Sequence, residues 1–163
     1  MDSSETVVLE ADLDQKEHQD CTVQLLNAYA MKPMGDGKPL SEIARRDVIS
    51  GLRQHPTTLV FLAYRDDVKA GIAICFRGFS TFMAWPLINI SDYYVIPPYR
   101  GMRVGRCLMQ KIKQHARELG CCKLTREVQD NNRRARAVYI AVGFGQAVHV
   151  PEAGGSLFLS KPL

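Results

Sequence analysis

At 163 residues, with 46% hydrophobic and 23% charged side chains, the chain is long enough to bury a core as one domain and too apolar to be disordered. A net charge of +4 does not call for a nucleic-acid partner, and no apolar run approaches the ~20 residues of a membrane span. Five cysteines, odd in number and without a CxxC pair, argue against zinc or dithiol chemistry and for free thiols in a reducing compartment. The N-terminus is acidic and lacks the apolar stretch of a signal peptide, so the expected location is cytoplasmic, with residues 1–5 flexible.

The elements follow in chain order. Thr6 to Glu10 reads as a strand. Asp14 to Tyr29 reads as a helix with Cys21, Leu25, Leu26 and Tyr29 on one face. Pro33, Gly35, Gly37 and Pro39 break the chain before Ser41, which has the chemistry of an N-cap. The helix it opens turns Ile43, Val48, Ile49 and Leu52 inward. A meander follows: Leu59 to Tyr64, a turn at Arg65-Asp66-Asp67, Val68 to Phe76, and Ile88 to Val95. Pro97-Pro98 stops the last strand, because proline cannot donate to a ladder.

Val104, Leu108, Ile112, Ala116 and Leu119 then recur every three or four residues, as an amphipathic helix requires, with Gly120 as its C-cap. Lys123 to Val128 is a further strand, and Asp130 or Asn131 caps a helix ending near Val142. Two closing strands, Gln146 to Val150 and Ser156 to Ser160, complete an α+β arrangement of 1–163 around a mixed, mostly antiparallel sheet.

The segment from Tyr94 to Arg106 carries the most chemistry. A strand ends in a proline turn, and a loop with Gly101 and Gly105 opens directly into a helix. The first N–H groups of a helix lack intrahelical partners and, with the helix dipole, favour an anion. Arg100, Arg103 and Arg106 add positive charge, so the loop suits a pyrophosphate. A second basic run, Arg133, Arg134 and Arg136, is a solvated surface unless it faces the same pocket. The Gly-Lys-Ser/Thr ending of a Walker loop is absent, and the glycine spacing differs from a dinucleotide fingerprint.

Arg100-Gly101-Met102-Arg103-Val104-Gly105 lies on the pattern Gln/Arg-x-x-Gly-x-Gly/Ala, and Asn132-Arg133-Arg134-Ala135-Arg136-Ala137-Val138-Tyr139 followed by Gly143-Phe144 lies on Asn-x-x-Ala-x-x-Leu-Tyr-x-x-x-Gly-Phe. Both blocks, in this order, resemble the GNAT superfamily of acetyl-CoA-dependent N-acetyltransferases. The resemblance implies a GNAT fold with acetyl-CoA as co-substrate. The backbone of Tyr93, Tyr94, Val95 and Ile96 would pair with the pantetheine arm. Arg100, Gly101, Met102, Arg103, Val104, Gly105 and Arg106 would hold the pyrophosphate, and Asn132 and Ala135 would contact the coenzyme. Asn132 has a second reading as a plain helix cap. Arg103 stands where the family has its middle glycine; a helical φ there would tolerate a side chain, and a positive φ would carry a cost.

Tyr139 falls at the family's general acid. An unperturbed tyrosine, with a pKa near ~10, is protonated at pH 7 and can supply a proton to a departing thiolate. Its other reading is a packed aromatic. The acceptor amine must first lose a proton, at roughly 4–5 kcal/mol for a lysine-like amine at pH 7. Asp92 and Ser91 are the candidates to receive it, Asp92 equally readable as a fixed structural carboxylate.

Phe79-Ser80-Thr81-Phe82 with Asp92-Tyr93-Tyr94 resembles the diamine (spermidine/spermine) acetyltransferase branch, with Ser91 replacing the branch's first acid. The resemblance implies a small-molecule amine as partner and a homodimer; the modest charge and the lack of a long apolar run add the expectation of no nucleic acid and no membrane. Acetylation of an aminoglycoside or a protein amine is the neighbouring reading. A non-catalytic acetyl-CoA-binding regulator is the alternative of another class.

Overall fold

The turns and caps divide the chain into short elements that order into one sheet. The computed structural model describes residues 5–147 and 150–163. It comprises two units, the first ending at Arg126 and the second running Glu127–Leu163.

The first unit holds strands β1 (Thr6–Glu10), β2 (Thr58–Arg65), β3 (Val68–Ser80), β4 (Trp85–Val95) and β5 (Leu124–Arg126), with helices α1 (Lys16–Ala30), α2 (Glu42–Gln54) and α3 (Val104–Glu118). The strands lie in the order β1-β2-β3-β4-β5. The first four are antiparallel, and β5 runs parallel to β4. The helix between β4 and β5 makes that parallel pairing possible, since parallel strands need a long crossover. Between β2 and β3 both turn residues, Asp66 and Asp67, have positive φ (50° and 60°). That is the turn geometry whose twist matches two antiparallel strands, and a short polar side chain tolerates it.

One face of the sheet is set by even-numbered residues of the central strands. Val60, Leu62, Ile72, Ile74 and Tyr94 bury against Cys21 and Leu25 of α1 and Leu52 of α2. The opposite face takes α3, through the fully buried Leu108 and Ile112. Gly71 permits that close approach: a Cβ there would stand 2.9 Å from the Tyr94 carbonyl and 3.1 Å from Leu108 Cδ1. Ser41 caps α2, its hydroxyl accepting from the Ala44 N–H at 3.1 Å. Ile43, expected to face inward, is exposed, because the first turn of α2 overhangs the cluster that Leu52 and Val48 reach. The long hairpin also exceeds expectation: β3 continues to Ser80 and β4 begins at Trp85, each stabilising the other beyond the reach of β2.

The second unit contains α4 (Arg133–Ala141) and a short 3-10 turn at Pro151–Ala153. The cap of α4 is Asn132, in line with its reading as a helix cap, rather than Asp130 or Asn131. The closing strands are corrected. Ser156 to Ser160 is not a strand; Leu157, Phe158 and Leu159 are exposed, and among the described residues the Ser156 N–H to Ala147 carbonyl bond at 3.0 Å joins this stretch to the chain before the turn. Gln146 and Ala147 are not strand either, while residues 148–149 of that expected strand, like residues 1–4, lie outside the described residues. An apolar run becomes a strand only when a neighbour accepts its ladder, and the sheet ends at β5 among the described residues.

Candidate functional site

The edge of β4 creates the principal feature. β5 pairs only with Ile88, Asn89 and Ile90. At the next residue β4 bulges: Cys75 faces Ile90 and Ile74 faces Asp92, so Ser91 has no register partner. From Ser91 to Val95 the described strands pair with β4 on its β3 side alone. The Ile96 N–H bonds to the Ala70 carbonyl at 2.9 Å, on the β3 side. Peptide groups alternate between the two edges of an antiparallel strand, so those of Asp92 and Tyr94 also face β3, and those of Tyr93 and Val95 face the open edge. Arg100 Nε donates to the Val95 carbonyl at 3.0 Å. The edge groups therefore come from alternate residues rather than from all four of Tyr93 to Ile96.

Beyond the edge, Pro97–Tyr99 form a 3-10 turn and the chain enters α3 through two left-handed residues, Gly101 (φ 79°) and Arg103 (φ 66°). Arg103 is the N-cap of α3 and no side chain caps it. The N–H groups of Arg103 to Arg106 have no backbone acceptor among the described residues, which leaves a polarised, donor-rich helix start. Met102, Arg103 and Arg106 are exposed around it, with Val104 buried beneath. Tyr93 fixes the helix start to the strand: its hydroxyl donates to the Gly105 carbonyl. Arg100 lies over the Tyr94 ring at 5.8 Å, and Tyr29 of α1 stacks on the same ring at 5.5 Å.

Asp92 lies just past the bulge. Burial pushes its carboxyl above the ordinary aspartate range, and the Arg126 charge works in the opposite direction. Arg126 Nη1 donates to the Ile90 carbonyl at 3.4 Å, and its guanidinium lies over the Tyr93 ring at 5.2 Å. Ser91 is exposed at the bulge. The first unit thus brings together the open edge, the helix start, Ser91 and Asp92.

In the second unit, Asn132 Oδ1 accepts from the Ala135 N–H at 3.1 Å, so its capping role is realised. Tyr139 is buried between exposed Val138 and Ile140 and meets the Phe144 ring edge-on at 5.9 Å. Arg136 is tied to Asp130, donating to its carbonyl at 2.9 Å and its carboxylate at 3.1 Å, so it acts as a local staple of α4.

Three residues that meet these elements carry no site assignment in the sequence: Tyr29, Arg126 and Arg65, whose Nη1 donates to the Met102 carbonyl at 3.3 Å. Tyr29 was assigned only to the core face of its helix. Arg126 ends a strand and reads as a surface charge. Arg65 does carry a signal, a charge closing the apolar run Leu59-Val60-Phe61-Leu62-Ala63-Tyr64. Among the thiols, Cys21 and Cys75 are buried, and burial pushes Cys75 up to about 12, which makes it inert at neutral pH.

Comparison with known proteins gives this geometry a family. The chain is 30% identical over 84 residues to a thialysine N-epsilon-acetyltransferase of Caenorhabditis elegans, covering 52% of each chain. The alignment thus spans about half the length of that relative. An aminoglycoside N(6')-acetyltransferase type 1 of Acinetobacter genomosp. 13 is 26% identical over 103 residues, covering 61% of this chain and 70% of that one. Among solved structures, the aminoglycoside acetyltransferase AAC(6')-Iy with a CoA-containing bisubstrate analogue superposes with a TM-score of 0.75 at 17% identity, covering 98% of this chain and all of the other. At that identity the likeness is one of fold. No described helix is long and apolar enough to cross a membrane. The model of the acetyltransferase (GNAT) family matches residues 17–144, taking in the open β4 edge, the uncapped start of α3 and Tyr139 alike, and the chain belongs to that family.

Proposed function

We propose that the chain transfers an acetyl group from acetyl-CoA to a primary amine of a small molecule by direct attack in a ternary complex. The observation that carries this reading is the stretch of β4 from Ser91 to Val95, which among the described residues pairs with a strand on its β3 side alone, leading into the uncapped, arginine-rich start of α3. The donor set fits the coenzyme: alternate strand peptides suit a pantetheine amide, and clustered N–H groups beside Arg103 and Arg106 suit a pyrophosphate.

Acetyl-CoA supplies the activated thioester. The residues of the chain handle protons and position. Asp92, already displaced toward the neutral form by burial, takes the amine proton through water at the bulge opened by Ser91. Tyr139 gives its hydroxyl proton to the departing thiolate. Arg100, Gly101, Met102, Arg103, Val104, Gly105 and Arg106 hold the pyrophosphate, and Asn132 and Ala135 present the start of α4. The acting form is a cytoplasmic homodimer.

The C. elegans relative, named for N-epsilon acetylation of thialysine, favours a small amine on a flexible chain. The Acinetobacter relative supports an aminoglycoside as the second reading. Steady-state turnover of acetyl-CoA over a panel of thialysine, diamines and aminoglycosides tests both. Tyr139→Phe is expected to lower kcat by about 10²-fold or more, as loss of a positioned proton donor does. Tight coenzyme binding without turnover on any amine would move the assignment to a regulatory binder.

A further inference from the structure

The loop that meets the pyrophosphate has an unusual conformation, and one buried charge bears on it. Gly101 and Arg103 both have positive φ, with Met102 between them. Arg65, at the end of β2, is 7% exposed. Its Nη1 donates to the Met102 carbonyl at 3.3 Å and to the Thr6 hydroxyl of β1, also at 3.3 Å. Phe61, Ala63 and Arg65 share the face of β2 that carries α3, where the Phe61 ring meets His115 of that helix. The side chain therefore approaches the loop from beneath, at the start of α3.

A trans peptide points its C=O and N–H in opposite directions. The peptide whose carbonyl Arg65 holds inward is the one that carries the Arg103 N–H. Anchoring that carbonyl to a buried guanidinium turns the Arg103 N–H outward, in line with the other unpaired donors of the helix start. We propose that Arg65 is a positioning residue for the pyrophosphate loop, setting the direction of the Arg103 N–H without touching the coenzyme. The inference rests on the acetyl-CoA reading above. It also accounts for a guanidinium held out of water, which is costly unless hydrogen-bonded. A bond to a rigid carbonyl exploits the planar, permanently charged fork that lysine lacks.

The test compares two acetyl donors: acetyl-CoA, and S-acetylpantetheine, which has no pyrophosphate. In Arg65→Gln the KM for acetyl-CoA is expected to rise about tenfold with kcat unchanged, the effect of losing one hydrogen bond from a charged group. The kcat/KM for S-acetylpantetheine should stay within about twofold of the unaltered enzyme, since nothing in that donor meets the Arg103 N–H. Arg65→Lys keeps the buried charge and serves where the Gln variant fails to fold; the same split, at about threefold, is expected because one of several donor geometries is retained. An unchanged KM for acetyl-CoA, or an equal loss with both donors, overturns the inference and leaves Arg65 a purely structural link between β1 and the loop. Absence of turnover with either donor in the unaltered enzyme overturns the acetyl-transfer reading, and this inference with it.

Discussion

Arg103 shows how much a single φ angle decides. At φ 66° glycine is favoured and short polar residues are tolerated, and this chain nevertheless has a long arginine there. The left-handed conformation costs an L-residue roughly 1–2 kcal/mol, partly offset by the greater freedom that glycine has in the unfolded chain. Arg103→Gly should therefore raise stability by about 1 kcal/mol, read as a melting temperature a few degrees higher. The same change removes a cation beside the helix start, so the KM for acetyl-CoA should rise while stability improves. Opposite signs for the two measurements distinguish strain retained for binding from strain without consequence. Asp92 makes a complementary case. Its folded-state pKa is raised by burial, so the stability it contributes is full below the ordinary aspartate pKa and is lost as pH rises through the folded value. Asp92→Asn should melt higher than the unaltered protein at pH 7, with the gap closing toward pH 4, while acetyl transfer falls. A melting curve series across that pH range checks the sign.

At the scale of elements, local chemistry and pairing contribute differently. Ser41 and its acceptor bond to Ala44 were legible in sequence, because a cap depends on residues three apart. Ser41→Ala should cost about 1 kcal/mol, measured by denaturant midpoint. Gly71 was not legible: its reason is the Tyr94 carbonyl on one side and α3 on the other. Gly71→Ala should destabilise by about 2 kcal/mol through overpacking, a loss greater than its helix or strand propensity would suggest. The bulge at Ser91 belongs to the same class. It changes which side chains of β4 share a face, placing Ile88 and Ile90 with Tyr93 and Val95, and Asp92 with Tyr94. An alternating pattern read along the chain has no means of locating that step, since both segments look like one strand.

For the molecule as a whole, the charge distribution carries a prediction of its own. The net charge is only +4, yet Arg100, Arg103 and Arg106 lie together at one helix start. Raising ionic strength from low to about 0.3 M should increase the KM for acetyl-CoA about threefold with little change in kcat, because exposed charges are screened over a few ångströms at that salt. The sequence by itself determined the elements of the first unit and the loop that suits an anion, and its motif blocks mark Tyr139 as the residue proposed for proton donation. Periodicity, caps and motif spacing are relations between near neighbours, and they survive without a fold. The tertiary structure decided the rest: where β5 stops and so exposes β4, which peptide groups face that edge, how burial displaces Asp92, and what Arg65 holds. It also decided against a strand at Leu157, Phe158 and Leu159, which are apolar enough for one and exposed instead. Each of these depends on residues distant in sequence. A strand edge, a buried charge and a ladder partner exist only once other segments have arrived, and that information is distributed over the chain rather than written at the residue it governs.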